Sequence, residues 1–296
     1  MEHFSSTLLH IYIKVRARDG EDKKEDVLMI TSKELEDNTE LFRIMPLERF
    51  LQMLSTKKNV LVHPSSWKDP YESLVKKSGM ILEPGQFVPY ELDRWYGQCW
   101  SSNPCNDALW QIYTKSDNCR AVMIKTTIGA LKESIPEDND QYRFFLGKVK
   151  YADHAKDEKG TKKNLASIYQ FDWDWENPLL RFEEVQNDEQ LRAVYMLLTK
   201  RKPFEYEQEV RLLCYTKEKQ EDGLYKYDLN IMNFVKEVTL DPWTPKGIDT
   251  SIKDIIDSFF PGNSIQVGTS NLYTDLGRGF LYDPHHYYEE YIKQHN

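Results

Sequence analysis

One segment constrains the fold more than any other: Pro203-Phe204-Glu205-Tyr206-Glu207-Gln208-Glu209-Val210-Arg211-Leu212-Leu213. The alternation predicts a long strand over 204–215, since strand side chains point to opposite faces with period two. Glu205, Glu207, Glu209 and Arg211 would then share one face, and Tyr206, Gln208, Val210 and Leu212 the other. Same-face neighbours along a strand lie about 7 Å apart, so three carboxylates in a row repel one another. Glutamate is also a poor strand former. Something must offset that cost: solvent along an exposed edge, a metal or cationic ligand, or arginines from elsewhere. The apolar continuation Val-Arg-Leu-Leu-Cys reads as a strand that runs from a cleft into a core.

Elsewhere, strands and helices are interspersed without a βαβ rhythm. The pattern gives strands at 8–15, 41–45, 60–62, 96–100, 121–125, 144–151, 235–240 and 264–267. Helices are expected after Pro46 (Leu47, Phe50, Leu51 and Leu54 at helical spacing), from Asp107 or the Asn before it, from about Thr127, over 188–200 and over 252–259. Neither GxGxxG nor GxxxxGK[ST] occurs, which argues against a Rossmann or P-loop fold and for an α+β chain with mostly antiparallel sheet. The 296 residues read as one domain, with a core over about 41–275 and appendages at either end. The net charge of −9 excludes an overall basic nucleic-acid wrapper but leaves room for a local basic groove. Lys57, Lys58, Lys76, Lys77 and the run Lys200-Arg201-Lys202 are read first as solvated surface. Cys99, Cys105, Cys119 and Cys214 form no CxxC pair, so reduced thiols in the cytoplasm are expected. No apolar run is long enough to span a bilayer. The 18 Tyr and 7 Trp suit either a ligand-lined cleft or a mixed core.

Paired carboxylates serve several chemistries. A metal site would need a third ligand, which His63 with Asp69, or His154, could supply, although neither has a recognisable ligand spacing. A metal-dependent nuclease built on Asp69, Glu207 and Glu209 is one alternative; the strand offers Glu-x-Arg where such enzymes use Glu-x-Lys. Without metal, one carboxylate can stabilise an oxocarbenium-like sugar cation while a second orients or deprotonates the acceptor. A third alternative is a non-catalytic sensor whose aromatic cleft binds a ligand or a phage protein. Cys99 as a nucleophile lacks an evident histidine partner. The adjacent histidines of Tyr282-Asp283-Pro284-His285-His286-Tyr287-Tyr288 diverge on any regular element and read as a tail.

Glu207-x-Glu209-Val210 resembles the third motif of ADP-ribosyltransferases, in which an acidic or amide residue stands two before the catalytic glutamate. Those enzymes place Arg or His on an early strand and Ser or Tyr on a central one. Arg43 in Leu-Phe-Arg-Ile and Ser101 after Gln-Cys-Trp, or Tyr96, take those positions here, although the central motif departs from the aromatic-x-Ser-Thr-Ser form. Across about 43–273 the chain also resembles a bacterial family of undetermined function with four shared blocks. They are Trp67-Lys68-Asp69-Pro70-Tyr71-Glu72, Cys99-Trp100-Ser101 with Leu109-Trp110 and Tyr113, the Glu-x-Glu-x-Arg strand, and Asp241-Pro242-Trp243.

Those resemblances imply an ADP-ribosyltransferase-like α+β fold with a split antiparallel sheet and flanking helices. They also imply NAD as a substrate and a protein or nucleic-acid acceptor, in the setting of anti-phage defence proteins. By the same resemblance Glu209 stabilises the ribosyl cation, Glu207 orients the acceptor, Arg43 holds a phosphate or ribose, and Ser101 positions Glu209. Trp67 and Tyr96 would wall the nicotinamide, with Trp100, Trp110 and Tyr113 completing an aromatic lining and no metal required.

Overall fold

A computed structural model of the chain describes residues 11–13, 29–32, 35–67, 69, 79–83, 86–89, 92–104, 107–114, 120–136, 141–152, 189–260, 262, 265–273 and 293. Residues 153–163, Cys105, Cys119, Lys76, Lys77, Tyr71, Glu72 and the tail at 282–290 lie outside them, His154 among them.

The described strands are β1 (Ile11–Ile13), β2 (Met29–Ser32), β3 (Glu40–Pro46), β4 (Lys58–Val62), β5 (Gly79–Glu83), β6 (Gln86–Pro89), β7 (Trp95–Ser101), β8 (Ala121–Thr127) and β9 (Tyr142–Lys148). They continue with β10 (Lys150–Ala152), β11 (Thr199–Arg201), β12 (Glu209–Thr216), β13 (Leu224–Asp228), β14 (Glu237–Leu240) and β15 (Gln266–Thr269). The helices are α1 (Leu47–Thr56), α2 (Asp107–Thr114), α3 (Ile128–Glu133), α4 (Glu189–Leu197), α5 (Ile231–Phe234) and α6 (Ile248–Ser258).

Eleven strands form one sheet in the order β1-β2-β9-β12-β7-β3-β8-β14-β15, and β4 and β13 branch from β7. All pairs in it are antiparallel except β2 with β9 and β14 with β15, which makes this the mostly antiparallel α+β architecture expected. β7 pairs fully with β12 on one side. On its other side it meets β3 only at Phe42↔Ser101 and β4 only at Val62↔Gly97. The sheet therefore splits along β7, and α1 links β3 to β4 along one side of the gap.

Local chemistry explains the elements around that split. Pro46, fixed near helical φ and lacking an N–H, stands at the entry to α1. Lys57 ends the helix in the left-handed region, and the chain returns directly as β4. Thr127 caps α3 by accepting the Ala130 N–H. Across the split, Gln98 Nε2 donates to Asn59 Oδ1 at 2.7 Å and to the Val60 carbonyl at 3.2 Å. Asn59 Nδ2 donates to Tyr227 at 2.7 Å and Trp100 Nε1 to Gln98 Oε1 at 2.9 Å. These buried side chains join β7 to β4 where the backbone ladder does not.

The alternation along β7, β9 and β12 divides the core. Tyr96, Trp100, Phe144, Leu146, Val210 and Leu212 face one side, packed by α1, α3, α5 and α6. Trp95, Phe145 and Leu213 face the other, against α4, while α2 packs Leu109 and Trp110 on Ile44 and Ala121.

Two expectations change. The helix expected over 188–200 stops at Leu197, and Thr199–Arg201 pairs in parallel with β10 as β11. The strand expected from 204 begins only at Glu209. Lys202–Glu207 is a 3₁₀ helix, with Pro in its first turn and Gln208 left-handed (φ 43°) at its end. Proline suits a first helical turn and lacks a ladder donor, so the glutamate alternation does not extend the strand.

Candidate active site

The split opens a cleft of about 890 Å³, within the range that encloses small-molecule ligands. One wall is α1 (Arg49, Gln52, Met53) with β4 and β13; the floor is Arg43 of β3 and β7 from Gly97 to Ser101. The far wall carries Trp67, Asp69, Tyr113, Lys200, Arg201, Phe204, Glu207 and Glu209. Arg43 and the two glutamates, expected from the sequence to meet, line this one cleft.

Glu209 opens β12 opposite Ser101, the last residue of β7. Its Oε1 accepts from Lys200 Nζ at 2.6 Å and its Oε2 from Arg211 Nε at 2.6 Å. Its backbone N–H donates to the Tyr151 hydroxyl at 2.8 Å. Burial opposes ionisation, but the Arg211 guanidinium, the contact with Glu207 and the Lys200 ammonium together hold this carboxyl well below the usual range. Glu207 is pushed the other way, up to about 8, by burial and by its hydrogen bond and proximity to Glu209, with Lys200 opposing. Lys200 Nζ also reaches Glu207 Oε2 at 2.7 Å. The pair is one carboxylate and one proton-holding carboxyl sharing an ammonium, not a row of three like charges.

Ser101 acts on Glu207, not on the Glu209 side chain: its Oγ donates to the Glu207 carbonyl at 2.7 Å. Arg43 is enclosed by protein, yet part of its surface opens to the cleft. Its guanidinium lies 5.9 Å over the Trp100 ring, and no described carboxylate comes within ion-pair distance of it. Burial lowers its pKa, with nearby Cys99, Tyr113 and Tyr227 opposing; a guanidinium remains charged nonetheless. The glutamates pair with Lys200 and Arg211 and are not its ion-pair partner. Tyr113, pushed up by burial and then by Cys99, Glu207 and Glu209, stands electrostatically between the two ends of the cleft.

The aromatic candidates separate. Trp67, Trp100 and Tyr113 line the cleft. Trp67 lies over Arg211 at 4.4 Å and against Gly97, where a Cβ would come within 2.7 Å of its ring; only glycine admits that approach. Tyr96 and Trp110 do not line it. Tyr96 is fully buried and its hydroxyl accepts the Gln220 N–H, and Trp110 packs in the α2 core. Tyr96 shares a strand face with Trp100 and Trp110 a helix face with Tyr113, but only Trp100 and Tyr113 reach the cleft; the other two are enclosed by core side chains.

Lys200, Arg211 and Tyr151 were missed as site residues. Lys200 looked like solvated surface in a basic run but is 7% exposed, and Arg201 pairs with Asp69 at 2.9 Å. The signal available was charge balance: a glutamate pair next to an apolar strand needs cations nearby. His63, weighed as a ligand, accepts the Ser65 N–H at Nδ1 and meets the Leu92 carbonyl at Nε2. Among the described residues no group of three His, Cys, Asp or Glu gathers as metal ligands, and no helix is long and apolar enough to cross a membrane.

No family model matches the sequence, and no curated protein matches it. Solved structures of Thermus sp. 2.9 DarT match the chain, each at a TM-score of 0.36. The complex with ADP-ribosylated ssDNA is 10% identical over 81% of this chain and 98% of that one. The complex with carba-NAD+ is 12% identical over 80% and 99%, and that with NAD+ 12% over 81% and 99%.

Proposed function

We propose that the protein transfers ADP-ribose from NAD to a macromolecular acceptor. The observation that carries this is the cleft at the sheet split, with an unneutralised guanidinium, Arg43, and an anionic Glu209 on the same walls. A buried cation without a carboxylate is stabilised by an anionic ligand, and a pyrophosphate supplies one. A carboxylate held ionised in a mostly enclosed site is suited to a developing ribosyl cation. One dinucleotide satisfies both.

In the reaction, the C–N bond between the ribose C1′ and the nicotinamide breaks and nicotinamide leaves with the electron pair. Glu209 stabilises the cation and accepts a hydrogen bond from a ribose hydroxyl. The acceptor, a nucleic acid or protein, forms its bond to C1′ and gives up a proton to Glu207 once Glu207 has itself ionised, so the rate rises toward alkaline pH; Ser101 and Lys200 place Glu207 beside Glu209. Trp67 and Tyr113 provide the aromatic walls. Lys200 and Arg211 already hold the carboxylates, which disfavours a divalent cation and therefore the nuclease alternative.

Nicotinamide release by purified protein with a cell lysate tests this. Glu209→Gln should slow release by about 10²–10³-fold, the scale of removing one transition-state electrostatic group. Equal release by both proteins would overturn the assignment.

A further inference from the structure

Glu207 poses a problem of placement. Glu209 is fixed by strand register, but Glu207 sits in a 3₁₀ turn behind a left-handed Gln208, where no ladder orients its side chain. Its backbone is tied by Ser101. Its carboxyl has three described neighbours: the Glu209 carboxyl, the Tyr206 hydroxyl, and Lys200 at 2.7 Å. Lys200 is itself delivered by a distant element, β11, through parallel pairing with β10, and its ammonium lies 4.8 Å over the Phe204 ring.

We propose that Lys200 is the positioning residue of this site, its ammonium bridging the two acids and holding the Glu207 carboxyl beside Glu209. This rests on the dinucleotide reading only for its consequence in catalysis. The groups facing the pair are Lys200 on β11, Arg211 on β12, Tyr113 on α2, Tyr151 on β10, Tyr206 in the turn and Cys99 on β7. Among the described residues, Lys200 and Arg211 are the cations that contact the pair, and Lys200 alone of these two contacts both carboxyls. Arg211 is committed to Glu209 and to the Leu197 carbonyl at 2.7 Å. Removal of the ammonium therefore leaves Glu207 facing an anion with no cation of its own, and its proton is held to higher pH. In the intact protein burial and Glu209 already push the Glu207 carboxyl upward and Lys200 opposes them, so loss of the ammonium adds to that shift.

The test is infrared titration of the buried carboxyl C=O band in the full-length protein without NAD, using Glu207→Gln to assign the band. K200M should move the loss of that band to higher pH by about one unit or more, and K200R should keep it near the parent value. A K200M titration that superimposes on the parent would make Lys200 a structural residue only and overturn the proposal. If K200M does not fold, K200Q makes the same comparison. In turnover, the alkaline rise of the rate should shift with the band in K200M and return in K200R. A shifted band in a protein that consumes no NAD would uphold Lys200 and fail only the dinucleotide reading.

Discussion

At the scale of single residues, the site runs on a division between two carboxyls. Glu207 binds its proton more tightly folded, near 8, than at the ordinary 4.5. Its contribution to stability is thus fully present below about 4.5 and is lost as pH rises through about 8. The parent should lose melting temperature relative to Glu207→Gln as pH rises from about 4.5 to about 8, by roughly 2–4 °C for each kcal/mol. A gap that stays constant with pH would contradict the shared proton. Glu209 has the opposite sign: its folded pKa is depressed, so its contribution is present above 4.5 and lost in acid. The deficit of Glu209→Gln should be largest at neutral pH and narrow on acidification, as thermal melts would show. With Glu207 protonated, Glu209, Lys200 and Arg211 leave the cluster one positive charge in excess. A cationic nicotinamide ring should therefore expel the Glu207 proton, and calorimetry at pH 7 in buffers of different ionisation enthalpy should find proton release on NAD+ binding.

At the scale of elements, the split depends on β7 giving up its ladder to side chains and to an aromatic ring. Gly97→Ala would put a methyl within 2.7 Å of Trp67. It should cost about 1–3 kcal/mol, in the range of core overpacking, and displace the ring from Arg211; melting and Trp fluorescence would record both, and an unchanged protein would show that the ring has room. The elements that frame the cleft were legible in the sequence. Leu-Phe-Arg-Ile before Pro46, the apolar stripe of α1, and Cys-Trp-Ser before the Asp107 helix all carry local signals, which place Arg43 and Ser101 on strands beside the split. The turn at 202–207 and β11 did not. The first obeys Pro203 and a left-handed glutamine over a glutamate alternation. The second exists only because Lys150 finds Thr199 across a long separation, which no local periodicity encodes. Lys200 was hidden for that reason, and Tyr96 and Trp110 were misplaced because an aromatic block does not say which of its rings turn inward.

At the scale of the molecule, helices cover both faces of the sheet and leave the gap between β3 and β4 as the route to its centre. A dinucleotide bound there would bridge the two sides of the split and bind only the folded state, so NAD at 100 times its Kd should add about 2.7 kcal/mol of stability. The most direct measurement is calorimetric titration of NAD+ into the protein and into Arg43→Gln. Saturable binding at one site, weakened about tenfold or more by the substitution, is the predicted result. An absence of binding to the parent, or equal affinity in Arg43→Gln, would contradict the assignment of this cleft to a dinucleotide.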